Sequence, residues 1–167
     1  MMVCAVMCVI AAGAPSFAVH AVPIENAEAE VLVADIDASP SAGEHGDSGF
    51  VPIGRYVGAF STNYPFTGAF HGGGHVIRNL VINRPATDGA GLFGLTSGST
   101  IDSLGLVGGS IAGGVGTGAL VGRHTDGSRV ADCYSILPVS GSGYVGGLIG
   151  SNSGSGAVIT RSFTTGP

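Results

Sequence analysis

The chain has 167 residues, of which 31 are glycine, with no tryptophan and no lysine. Seven carboxylates and no arginine precede residue 50, whereas six arginines face four aspartates after it, for a formal charge of −5; a nucleic-acid binder would carry a dense basic stripe, so that partner is excluded. The length suits one domain with enough buried surface to fold without staples, but glycine costs about 1 kcal/mol at each helix-interior position, so the composition excludes a helical core and suits thin, closely stacked layers.

The first element is an apolar run, VCAVMCVIAAGA at 3–14, too short to span a bilayer comfortably and matched to the h-region of a secretory signal. Ser16, Ala18 and Ala21 supply small residues for cleavage, so residues 1–21 are read as a signal peptide, although the usual positive n-region is missing. An uncleaved anchor is the alternative, and any contact with a membrane is confined to this segment. Removing the leader takes Cys4 and Cys8 with it and leaves Cys133 alone, so no internal disulfide forms. No histidine stands near Cys133 in sequence to lower its pKa, and it reads as a small buried hydrophobe rather than a nucleophile. Residues 22–30 are a short acidic linker, and the folded domain runs from 31 to 167.

HGGGH at 71–75 is the one tempting metal pair. Two imidazoles need further ligands at about 2.0–2.2 Å, and a glycine run supplies no regular face to fix them, so His71 and His75 are assigned to a turn and no metal is expected.

From residue 77 a recurring signature begins: IRNLVI at 77–82, IDSLGL at 101–106, VADCYS at 130–135 and ITRSFT at 159–164. Each has an aliphatic first residue, a polar third and a packing residue fourth. A strand buries i, i+2 and i+4, yet Ile77, Leu80 and Ile82 stand at i, i+3 and i+5, so the alternation slips at the polar residue and the chain turns a corner there. Asn79, Ser103 and Asp132 are types that accept left-handed dihedrals; Arg161 does not fit that argument. Interleaved with this is GAGLFG at 89–94, returning as TGALVG at 117–122 and VGGLIG at 145–150, which puts Leu92, Leu120 and Leu148 at a constant step.

Short strands meeting at corners with no helix between them describe an all-β fold, a parallel β-solenoid of about four to five short coils. Its leucines would form an interior column, and its glycines would let the coil close around them. The last repeat stops at FTTGP without a leucine motif or a polar cap, so the solenoid is expected to be incomplete at that end: the front of a longer protein, or a unit that associates end to end.

Nothing else assembles into catalytic chemistry. Glycoside hydrolysis needs two carboxylates about 5–9.5 Å apart, whereas Asp102 and Asp132 occupy different offsets in their repeats. GGVGTG at 113–118 has no following lysine or helix and reads as a turn rather than a phosphate loop. Arg55, Arg78, Arg84, Arg123, Arg129 and Arg161 are assigned to the solvated outside of the coils. No cofactor is expected.

GLFG, ALVG and GLIG together resemble the GLUG repeat, with Ala119 replacing the first glycine in the middle copy. VLVADIDAS at 31–39, FVPIG at 50–54 and FTGAFHGGGHVIRNLVI at 66–82 are similar, in order, to the segment that precedes such repeats, with His71 and Gly73 where that segment usually has aspartate and asparagine. The resemblance implies a bacterial β-solenoid that is secreted or held at the cell surface. Such repeats occur in adhesin-like proteins and beside the protease domain of immunoglobulin-A-cleaving metallopeptidases. It therefore implies a noncatalytic module of adhesion or structural-display type, whose unidentified partner is a host or cell-surface glycan or protein. The alternative is the accessory part of an exported carbohydrate-active enzyme or metallopeptidase.

Overall fold

The computed structural model describes residues 29–59 and 61–166. The expected leader, with Cys4 and Cys8, and most of the acidic linker lie outside them. Among the described residues sixteen short strands alternate with turns, and the single helical element is a 3-10 turn at Ser39–Gly43. Glycine-rich, β-branched sequence favours this outcome, because each strand need only reach the next corner.

A first pass of chain contributes β1 (Ala29–Val31) and β2 (Ile36–Asp37). Ala29 and Glu30, assigned to the linker by sequence, thus already stand in a strand. The second pass contains β3 (Ala69–His71), β4 (Val76–Asn83) and β5 (Phe93–Ser97); the third contains β6 (Thr100–Asp102), β7 (Gly105–Ala112), β8 (Val115–Gly118) and β9 (Val121–Thr125). The fourth holds β10 (Arg129–Ala131), β11 (Tyr134–Ile136), β12 (Val139–Ser140), β13 (Gly143–Gly146) and β14 (Ile149–Asn152), followed by β15 (Val158–Thr160) and β16 (Phe163–Thr164).

Every named strand pair is parallel and joins one pass to the next, in the orders β1-β3-β6-β10-β15, β2-β4-β7-β11-β16 and β5-β9-β14, with β13 beside β8. This is a parallel β-solenoid. Its complete turns number about three, fewer than the four to five expected. The first pass departs from strand geometry after β2, where the Ser41 hydroxyl accepts the Val81 N–H at 3.0 Å and Arg55 pairs antiparallel with Tyr64.

Register places the recurrent leucines as expected. Phe93, Val121 and Ile149 are in line across β5, β9 and β14, so Leu92, Leu120 and Leu148, one residue earlier, form a column at 0%, 0% and 8% exposure. Burying each such side chain contributes roughly 1.5–3 kcal/mol.

The corner repeat needs one correction. Ile101, Val130 and Ile159 stack, but the residue beneath Ile101 is Phe70, while Ile77 lies beneath Leu106. IRNLVI is therefore not the first copy of IDSLGL. The true counterpart is FHGGGHVI, in which the Gly72–Gly74 run widens the corner. IRNLVI mimics the spacing because β4 has its own left-handed break at Asn79, φ 59°, opposite Gly108, φ 70°.

Candidate functional site

The corners are built from local residue chemistry. Ser103, Asp132 and Arg161 have φ of 55°, 55° and 47°, so all three members of the column are left-handed. Arg161, which the sequence argument left out, adopts the same conformation as its neighbours. Its guanidinium reaches back to Asp132, with Nε and Nη2 each donating at 2.6 Å to one carboxylate oxygen. That hydrogen-bonded fork holds the Asp132 carboxyl below the usual range.

The two histidines of HGGGH are turned to different partners. His71 Nδ1 is 2.8 Å from Asp102 Oδ2 on β6, and His75 Nδ1 is 3.4 Å from Asp35 Oδ1. Asp35 also accepts the Val76 N–H at 3.0 Å and Arg78 Nη2 at 3.2 Å; the backbone bond above all, with help from Arg78 and His75, lowers its pKa. Among the described residues no three histidine, cysteine or carboxylate side chains gather in metal-binding geometry.

All four aspartates beyond residue 50 bind the adjacent coil. Besides Asp102 and Asp132, Asp88 Oδ1 accepts the Val115 N–H at 2.8 Å and Asp126 Oδ1 accepts the Ser155 N–H at 3.3 Å. Their common use is to tie one turn to the next. In GGVGTG, Gly113 and Gly114 form a turn, but Val115–Gly118 is β8 rather than part of it.

Cys133 is 1% exposed and its Sγ points to the Ala131 carbonyl at 3.1 Å. Burial pushes its thiol up to about 11, which leaves almost no thiolate at neutral pH.

Two polar features were missed in the sequence. His124 is fully buried, with Nδ1 3.0 Å from Thr96 Oγ1 and no partner for Nε2, and desolvation holds its pKa below the ordinary histidine value. The signal was present: Thr96, His124 and Asn152 keep the same step as the leucines. The other is Arg123, assigned to the solvated exterior. It is half-buried, and Cζ lies 4.0 Å from the centroid of the Tyr56 ring. Arg84 is also drawn in, donating at 3.0 Å to both the Phe50 and Gly49 carbonyls. Arg55, Arg78, Arg129 and Arg161 are exposed.

No family model matches the chain. It is similar to halomucin of Haloquadratum walsbyi, with 43% identity over 96 residues that make up 56% of this chain and 1% of that protein. The matched stretch is thus a very small part of its relative. No solved structure matches. No helix among the described residues is long and apolar enough to cross a membrane.

Proposed function

We propose that this chain is a noncatalytic β-solenoid module of a secreted or cell-surface protein, serving adhesion or structural display. The observation that carries the reading is the 43% identity to halomucin, a protein named as a mucin, in a chain built of stacked repeats. The use of all four later aspartates as ties between coils supports it, because these side chains are committed to holding the stack. Membership of the GLUG-repeat family is part of the same proposal. Its motif leucines occupy one interior column, which gives the repeat a structural reason to recur.

Antibody raised against the chain is expected to label intact source cells or to find the protein in their medium. Beads coated with it are expected to adhere to a polysaccharide-bearing surface. Labelling only after lysis would overturn the surface reading, and hydrolysis of the polysaccharide by the purified chain would overturn the noncatalytic one.

A further inference from the structure

Three left-handed positions stack along the flank beside β8: Gly89, Gly116 and Tyr144, with φ of 68°, 77° and 49°. The pairs Ala90 with Thr117, and Gly143 and Val145 with Val115 and Thr117, put them in one column. The first two sites carry no side chain, and other side chains lie over them. A Cβ on Gly89 would be 3.1 Å from Tyr56 Cβ, and one on Gly116 would be 3.0 Å from Arg123 Cγ. Tyr56, Arg123 and Tyr144 therefore follow one another along the solenoid axis, a strip about 10 Å long at the ordinary strand spacing.

Two members of the strip have requirements that the stack leaves unmet. Tyr144 holds a conformation that strains any residue with a Cβ, at a position whose counterparts in the two preceding turns are both glycine, and the residue is 71% exposed. Among the described residues neither burial nor a side-chain hydrogen bond offsets that strain. Arg123 is stacked on Tyr56, its Nη2 reaches the Val115 carbonyl only at 3.4 Å, and its Nε is buried without a partner. Its neighbours in register are Leu95 and Ser151, and among the described residues it has no carboxylate within ion-pair distance. Asp88, the acidic residue on this flank, is engaged by the Val115 N–H.

We propose that Tyr56, Arg123 and Tyr144 form a binding strip for an anionic polysaccharide. The Nη edge of the guanidinium, the part not held against Tyr56 or buried at Nε, takes the carboxylate or the sulfate of one sugar, and the exposed Tyr144 packs against the apolar face of the next. A guanidinium already stacked loses little freedom on binding, and the anion supplies the charge it lacks. The strip is far smaller than the roughly 1,000 Å² a stable protein interface requires, and the chain has no basic stripe for a nucleic acid. This inference rests on the surface-module reading and gives that module a ligand class.

Isothermal titration of the chain with polygalacturonate, dextran sulfate and neutral dextran tests it, the first two arms separating carboxylate from sulfate. Binding to at least one anionic polymer and none to dextran is expected. R123Q should weaken it at least ten-fold. Y144G should weaken it several-fold while raising the melting temperature, an opposite pair of effects that a merely structural tyrosine would not produce. Should R123Q lose its β-sheet circular dichroism, Y144G carries the test. Equal binding of dextran, equal binding of a single-stranded DNA, or wild-type affinity in Y144G would overturn the proposal. Coated beads separate it from the parent reading: adhesion unchanged by Y144G sinks the strip alone, whereas polysaccharide binding by a chain absent from the cell surface and medium sinks the surface module alone.

Discussion

A left-handed residue with a Cβ costs about 1–2 kcal/mol relative to the right-handed regions, yet Ser103, Asp132 and Arg161 repeat it at one corner. Among the described residues Ser103 has no side-chain hydrogen bond that would offset this, so Ser103→Gly should relieve more strain than the roughly 0.5–1 kcal/mol of backbone entropy that glycine gives back, and the melting midpoint should rise. Arg161→Gly also loses the fork to Asp132 and should rise less; the reverse order in paired thermal melts would refute the account. His124 gives a pH dependence. Burial keeps its folded-state pKa below the unfolded value, so as the pH falls the unfolded chain binds its proton first and stability drops from near the ordinary histidine pKa downward, levelling off below the folded value. His124→Gln should therefore lose less of its melting temperature than wild type between neutral pH and pH of about 5. Equal losses would show that this imidazole stays solvated.

Each strand is too short to be stable alone, and its register comes from what it buries. Leu120 is completely enclosed between Leu92 and Leu148, so Leu120→Ala should cost about 2–5 kcal/mol. Thr125→Ala removes one hydrogen bond, from Oγ1 to the Thr96 carbonyl at 2.7 Å, and should cost about 0.5–1.5 kcal/mol; chemical denaturation resolves the two, and equal midpoints would refute the stacked column. The leucine column was legible because GLFG, ALVG and GLIG repeat an apolar residue at a fixed step among glycines. The corner column was legible only from Ile101 onward. Asn79 misled because any left-handed break in a strand makes the same i, i+3, i+5 spacing, whichever face it lies on, and the Gly72–Gly74 corner contains no apolar residue to mark it.

In a stack of this kind stability is the sum of what each turn contributes and what it shares with the next. Tandem duplication of residues 100–128, a whole turn by the pairing of Thr100 with Arg129, should give a folded chain longer by about 4.8 Å. Its denaturant m-value should also be larger, since more surface is exposed on unfolding; an unchanged m-value would mean that the added turn does not join the stack. Sequence alone determined the all-β class, the solenoid and its buried leucines, because those follow from period and residue type, which are local properties repeated in line. Only the tertiary structure decided the number of complete turns, the register of the first corner, the burial of His124 and the meeting of Tyr56, Arg123 and Tyr144. These depend on which turn lies over which, an offset fixed by pairings such as Phe70 with Ile101 and Ile77 with Leu106, between residues far apart in the chain.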